Sequence, residues 1–301
     1  MSESGGTPDL LIVGASGLLG QALMAEARSR GMRASGLARS GADYACDLRD
    51  TGATTALLAE LRPAIIVNAA ALTDLRACEA DPGLAYEINA RAVALLAESG
   101  RQWGARLVHV STDHFFCGDG AAPHDEKAPV RLVNDYARSK FAGEGFAATA
   151  PGALVVRTNI TGFRGWAGRP TFAEWLFEMI ETDGEAGFFD DYWTSTMDAA
   201  TCARALLTLV EKGASGLLNV AARRPATKQR FAEALASAMG RRLSRARTAS
   251  VRDLLPRRAE SAGLEVSAAE AILGHRLPDL DDVIHSLLSE YQTRCATIPP
   301  S

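Results

Sequence analysis

Short aliphatic runs alternate with stretches of helical spacing through the first half of the chain. Residues 10–13, 64–67, 107–110 and 154–156 are almost continuously apolar, the pattern of strands buried on both faces. Residues 18–30, 51–61, 84–103 and 136–149 repeat apolar side chains at helical spacing, which predicts helices between those strands. Gly31 stops the first helix. Such alternation predicts an α/β fold: a Rossmann doubly wound parallel sheet with helices on both faces. A weaker aliphatic run at 217–220 is expected to return to the same sheet.

After Arg157 the pattern changes. Residues 158–170 are rich in Gly, Arg and Thr and read as a loop over a ligand. A helix carrying Phe172, Trp175, Leu176 and Met179 follows, then a second loop over 184–197. The last quarter is helical with proline punctuation, and Ser267-Ala-Ala-Glu270 reads as a capping box. The expected organisation is a disordered lead-in at 1–8 and an NAD(P)-binding domain over 9–156, with 197–221 returning to it. A smaller, mostly helical substrate-binding lobe is expected from 157–196 and 222–301.

Composition narrows the field. The 301 residues carry 32 Lys and Arg against 36 Asp and Glu, net charge −4. The charges are interspersed, so nucleic acid is not an expected partner. Five cysteines are scattered without a CxxC, which speaks against a disulfide framework and against a zinc knuckle. No cluster has metal-ligand spacing, and no metal is expected. No apolar run is long enough for a bilayer, and the opening MSESGGTP lacks the features of a signal peptide. A cytoplasmic setting is expected, with a homodimer as the ordinary assembly.

The first candidate site is Gly14-Ala-Ser-Gly17-Leu-Leu-Gly20, directly after the first strand and opening the first helix. Glycines there let the backbone approach a pyrophosphate, whose charge the helix N-terminus favours. Gly14, Ser16, Gly17, Leu18, Leu19 and Gly20 are therefore candidate dinucleotide contacts. Where an NAD-specific protein has an acid after strand two, this chain has Leu37-Ala38-Arg39-Ser40. Arg39 suits a 2′-phosphate, so NADPH is expected, with NADH as the alternative. Asp47, followed by Leu48, is expected near the adenine. The small residues after Asn68, namely Ala69, Ala70 and Ala71, would let the cofactor pass close to the backbone.

The second candidate is Tyr136-Ala-Arg-Ser-Lys140, which puts a phenol and an amine on one helix face. A phenol of ordinary pKa near 10 is a poor proton donor at neutral pH. A nearby ammonium favours the phenolate and makes the phenol a competent acid. Ser111-Thr112-Asp113 ends the strand at 107–110, at the carboxyl edge where open α/β sheets bind ligands. Ser111 is a cofactor candidate, and the Thr112 hydroxyl can bond a substrate carbonyl.

These motifs resemble the extended short-chain dehydrogenase/reductases, within them the dTDP-4-dehydrorhamnose reductase branch. The resemblance runs from about residue 9 to 290 and includes VNAAALTD, EINA, STDHFF, YARSKFAGE, VVRTN and FAEWL. It implies reduction of a 4-keto group on a nucleotide-linked 6-deoxysugar. It also implies Thr112 as carbonyl orienter with Asp113 alongside, Tyr136 as proton donor and Lys140 on the nicotinamide ribose. Asn89 would support the active-site hydrogen bonds, and Arg157 would begin the segment closing over the cofactor. This chain departs from the family's usual residues at Arg76, His114, Leu132 and the segment 191–196. These departures fall around the sugar pocket. His114, Asn159, Arg164, Trp193 and Arg258 are the substrate candidates, with Arg169 and Arg257 further candidates for a diphosphate. Two other readings stay open. One is an NADP-binding regulatory subunit without turnover, and the other is an epimerase or dehydratase that retains NAD.

Overall fold

A computed structural model describes residues 8–166 and 169–297. Residues 1–7 of the expected lead-in lie outside the described residues. The chain divides into two compact units. Unit one comprises Met1–Thr112, Asn134–Arg157 and Ala203–Leu218; unit two comprises Asp113–Val133, Thr158–Cys202 and Asn219–Ser301. The segment 113–133, expected with the nucleotide domain, therefore packs with unit two. The return to unit one is shorter than the expected 197–221.

Unit one is built on a seven-stranded sheet. In chain order its elements are β1 (Leu10–Val13), α1 (Leu18–Ser29), β2 (Ala34–Ala38), β3 (Tyr44–Ala45), α2 (Thr51–Leu61) and β4 (Ile65–Asn68). There follow α3 (Leu75–Ala80), α4 (Pro82–Tyr86), a π-helical turn (Glu87–Arg91), α5 (Ala92–Trp103) and β5 (Arg106–Val110). α6 (Asp135–Ala147) and β6 (Leu154–Arg157) come next, and the strand Gly216–Asn219 completes the sheet. The order across the sheet is Gly216–Asn219, β6, β5, β4, β1, β2, β3. The pairings β1–β2, β1–β4, β2–β3, β4–β5 and β5–β6 are all parallel. Every residue of β1 and β6 is buried, as their aliphatic runs require. The order reverses between β1 and β4, and that is where such sheets bind ligands.

The predicted helix at 84–103 begins earlier, at Pro82, where Asp81 caps it by accepting from Leu84 N. It also carries the π turn. Such a turn shifts the side-chain register by one residue and is frequent at functional sites. Arg157 donates to Glu144 twice, Nε to Oε1 at 2.9 Å and Nη2 to Oε2 at 2.8 Å, with both side chains buried. This pair ties the end of β6 to α6.

Unit two contains α7 (Phe172–Thr182), α9 (Lys228–Ala238), α10 (Ser267–Leu273) and α11 (Leu280–Thr297). α8 (Ala199–Glu211) begins in unit two and continues into unit one. Among the described residues, three small sheets accompany these helices. The expected loop at 184–197 holds three short strands, Ala186–Phe189, Trp193–Thr194 and Met197–Asp198. Their partners lie far along the chain: Ala186–Phe189 pairs with Ala246–Ala249, and Trp193–Thr194 with both Ala226–Thr227 and Ser261–Ala262. Local periodicity carries no information about such pairings. The capping box expected at Ser267 is not formed. The Ser267 hydroxyl donates to Glu265 at 2.8 Å, and Glu270 instead takes Arg223 and the Leu277 N–H. A capping box does form at Thr171 and Glu174, opening α7.

Candidate active site

The phosphate-binding half is built at the end of β1. Gly14 has φ of 84°, a left-handed conformation that disfavours any side chain. A Cβ there would stand 2.6 Å from Ala70 N, so β4's following turn lies directly against the loop. The Ala69 N–H donates to Val13 O at 2.9 Å. Asn68 is fully buried and holds the turn from within: its Oδ1 accepts from Ala70 N at 3.1 Å. Its Nδ2 donates to His109 Nδ1 at 3.2 Å, which assigns the His109 proton to Nε2. Burial, with Lys140 nearby, keeps the His109 pKa well below the usual imidazole range. Asn68 is therefore a support for Ala69–Ala71.

Gly17 caps α1 without a side-chain bond, and no acidic residue occupies the first turn of that helix. The N-terminal amides and the helix dipole thus face no competing carboxylate there. Glycine at positions 14 and 20, where a Cβ would strike backbone, lets the loop pack tightly against the turn after β4 and against α1. These residues fit a dinucleotide pyrophosphate. Arg39 is exposed just past β2. Asp47 is held by Arg49, with Nη2 to Oδ2 at 2.6 Å. Hydrogen bonds from Arg49, aided by its charge and by that of Arg39, lower the Asp47 pKa to about 2. An Asp47 carboxylate engaged in this way is a fixed acceptor at the sheet edge.

Tyr136 and Lys140 lie on α6, whose start is set by Asn134 accepting from Ala137 N at 2.8 Å. The Tyr136 ring packs with Leu72, Leu75, Cys78 and Ala85. Lys140 is 2% exposed and donates from Nζ to Val110 O at 2.7 Å. Burial lowers its pKa to about 8, against the opposing charge of Glu144. Asn89, on the π turn, braces this helix. Its Nδ2 donates to Ser139 Oγ and to Leu72 O, each at 3.0 Å, and its Oδ1 accepts from Leu72 N at 2.8 Å. Ser111 and Thr112 are buried at the end of β5, with the Ser111 N–H on Val156 O at 2.7 Å.

Unit two holds the substrate candidates. His114 is 4% exposed and accepts the Ala259 N–H at Nε2, 3.3 Å away. Burial and the charge of Arg258 lower its pKa to about 4. It is a packed neutral imidazole at physiological pH. Arg164 turns back on its own loop, donating to Arg169 O at 2.5 Å and stacking 3.9 Å above the Trp166 ring. This geometry gives a diphosphate role for Arg164 no support. Trp193 is half-buried in the three-stranded sheet. Arg258 is half-buried, and its Nε is enclosed without a hydrogen-bond partner. Asn159 is bonded to Asp113 and Thr196.

Sequence reasoning missed Lys228, Thr196, Ser139 and His109. Lys228 had one visible signal: a lysine as the first residue of a helix opposes the helix dipole. Among the described residues, no group of three or more His, Cys, Asp or Glu is arranged to hold a metal ion. Nor is any helix long and apolar enough to cross a membrane.

A parallel sheet whose reversal point carries a glycine turn and an acid-free helix N-terminus defines a Rossmann-type protein. Comparison with known proteins narrows this. The model of the RmlD substrate binding domain matches residues 8–293. The chain is 35% identical over 221 residues to a dTDP-4-dehydrorhamnose reductase of Mycobacterium tuberculosis, covering 71% of this chain and 69% of that one. It is 28% identical over 290 residues to a probable low-salt glycan biosynthesis reductase of Haloferax volcanii, covering 92% and 96%. A Bacillus anthracis dTDP-4-dehydrorhamnose reductase, solved in complex with NADP, shares the fold with a TM-score of 0.84. It is 23% identical, over 95% of this chain and 100% of that one. The chain belongs to the RmlD family, the dTDP-4-dehydrorhamnose reductase branch of the extended short-chain dehydrogenase/reductases.

Proposed function

We propose that this protein reduces the 4-keto group of a nucleotide-linked 6-deoxysugar with NADPH. The carrying observation is Lys140: a buried ammonium one helical turn from Tyr136, held on the Val110 carbonyl. Burying a lysine is unfavourable unless its charge is used. Here it would bond the nicotinamide ribose and favour ionisation of the Tyr136 phenol. When bound, the cofactor supplies hydride to the carbonyl carbon. Tyr136 gives its proton to the carbonyl oxygen, so the ketone becomes an alcohol, and the phenolate regains a proton from solvent. Thr112 holds the carbonyl oxygen in line. Gly14, Ser16, Gly17, Leu18, Leu19 and Gly20 hold the pyrophosphate. Asp113, Asn159, Trp193 and Arg258 serve the sugar nucleotide. The same reading takes the protein to be a cytoplasmic homodimer.

The test is NADPH consumption with a panel of dTDP-, GDP- and UDP-linked 4-keto-6-deoxysugars. Oxidation with one of them is expected. Tight cofactor binding with no consumption would identify a regulatory subunit. Stoichiometric NAD in the purified protein, without net consumption, would identify an epimerase or dehydratase. The cofactor preference has its own test. Arg39→Ala is expected to weaken NADPH binding about 10- to 100-fold, the worth of a charge-assisted phosphate contact, and to leave NADH unchanged. Equal losses for the two coenzymes in a fluorescence titration would remove Arg39 from the 2′-phosphate.

A further inference from the structure

Four side chains in unit two, from four separate stretches of sequence, form one continuous hydrogen-bond chain. The Lys228 Nζ donates to Thr196 Oγ1 at 3.0 Å. Thr196 Oγ1 donates to Asn159 Oδ1 at 2.8 Å. Asn159 Nδ2 donates to Asp113 Oδ2 at 2.7 Å. Thr194 Oγ1 lies 2.9 Å from Thr196 Oγ1.

The two ends dictate the direction of every bond between them. An ammonium can only donate and a carboxylate oxygen can only accept. Thr196 has one proton, which goes to Asn159, so Thr194 must be the donor in their contact. The Thr196 oxygen then gives one bond and receives two, which uses all its capacity. Flipping the Asn159 amide would set an NH2 against that filled hydroxyl and a carbonyl against the Asp113 carboxylate. Only one arrangement of the chain is free of such conflicts.

Lys228 occupies an unfavourable place for a cation. It is the first residue of α9, whose dipole repels positive charge. The faces of the Phe172 ring, 4.7 Å from its Nζ, and of the Tyr192 ring, 5.8 Å away, offset part of this by attracting the cation. Burial and the charge of Arg258 push its pKa down to about 8, against the pull of Asp113. Thr196 and Thr194 are buried, and Asp113 is 3% exposed. A lysine kept against these terms has a use that a neutral residue would not serve.

We propose that Lys228 is a positioning residue of the substrate side. It locks this chain in place from its charged end and thereby holds the Asp113 carboxylate, through Thr196 and Asn159, in position to accept from a sugar hydroxyl. The identity of that hydroxyl donor rests on the reductase reading; the locking itself does not.

Three variants separate the possibilities. Lys228→Arg keeps a charged, donor-only end. Lys228→Gln keeps a donor but removes the charge that anchors the chain. Lys228→Met removes the end altogether. The expected result is a loss of about tenfold or more in kcat/KM for the sugar nucleotide in the Gln and Met variants, with NADPH affinity unchanged. The Arg variant should stay within about threefold of wild type. A purely structural lysine would instead give three variants ranked by melting temperature, with Gln no worse than Arg in kcat/KM; that result overturns the proposal.

A second measurement needs no turnover. In 15N-labelled protein the Asn159 side-chain amide, assigned by its loss in Asn159→Asp, should give one sharp pair of proton signals. Those signals should move or broaden in Lys228→Met and Lys228→Gln but hold in Lys228→Arg. Unchanged Asn159 signals in Lys228→Met overturn the locking role. If no sugar nucleotide is reduced by the wild type, the reductase reading fails separately, and the amide signals still decide the lock.

Discussion

Tyr136→Phe is expected to lower turnover about 1,000-fold while NADPH affinity stays within about twofold. The substitution removes one oxygen and keeps the ring. That ring packs with Leu72, Leu75, Cys78 and Ala85, contacts that phenylalanine retains, so the fold and the α6 position are preserved. Lys140 keeps its bond to Val110 O, and Asn89 keeps its hold on Ser139, so the cofactor side of the helix is unaltered. What disappears is the proton that must reach the substrate oxygen as hydride arrives. General acid catalysis is worth about 100- to 10,000-fold, which sets the size of the loss. Because the proton moves in the transition state, the loss should appear in kcat, with little change in KM. Steady-state kinetics beside a cofactor titration make the check. Turnover near wild type would take Tyr136 out of the reaction.

Gly20→Ala is the second large effect, and its sign is opposite to what helix propensity predicts. In an ordinary helix interior, alanine is better than glycine by about 1 kcal/mol. At position 20 the new Cβ would stand 2.1 Å from Gly14 O and 2.7 Å from Ala15 Cα. Both are backbone atoms of the loop between β1 and α1, so no flexible side chain can swing aside. The helix must move off the loop, or the loop must lose its turn. Either way the amides that would meet the pyrophosphate are displaced, and a misplacement on the order of 1 Å costs about 100-fold. NADPH affinity should fall by at least that much, with a lowered melting temperature. The matched control is Gly145→Ala on α6, where a Cβ meets nothing within 4 Å. That variant should bind NADPH normally and gain about 0.5–1 kcal/mol of stability. Calorimetric titration and thermal melts of the pair test the contrast, and wild-type affinity in Gly20→Ala would show that the loop does not carry the cofactor.

Both substitutions were visible in the sequence because their signals are local. The glycine spacing at 14–20 and the Tyr–Lys spacing on α6 each lie within two helical turns. The aliphatic runs of β1, β4, β5 and β6 are local too, and the sheet forms where they place it. The Thr171–Glu174 and Ser267–Glu270 stretches carry the same local capping pattern, and only the first forms the box. At the second, Glu270 is taken by Arg223, from a distant part of the chain. His114 shows the same limit. Its place after Ser111-Thr112-Asp113 made it a substrate candidate, while only its enclosure beside Arg258 shows that its pKa is held low.

The sequence by itself determined the alternation of strand and helix, the glycine turn after β1, and the phenol and amine on one face of α6. Each depends on chain neighbours and on a fixed backbone period, which residue order contains. Only the tertiary structure decided that residues 113–133 pack with unit two, that Ala186–Phe189 pairs with Ala246–Ala249, and that Lys228 reaches Asp113 through Thr196 and Asn159. Those outcomes depend on which groups share a buried space. Desolvation and the need to satisfy every buried donor are set by neighbours brought together in three dimensions, tens of residues apart along the chain.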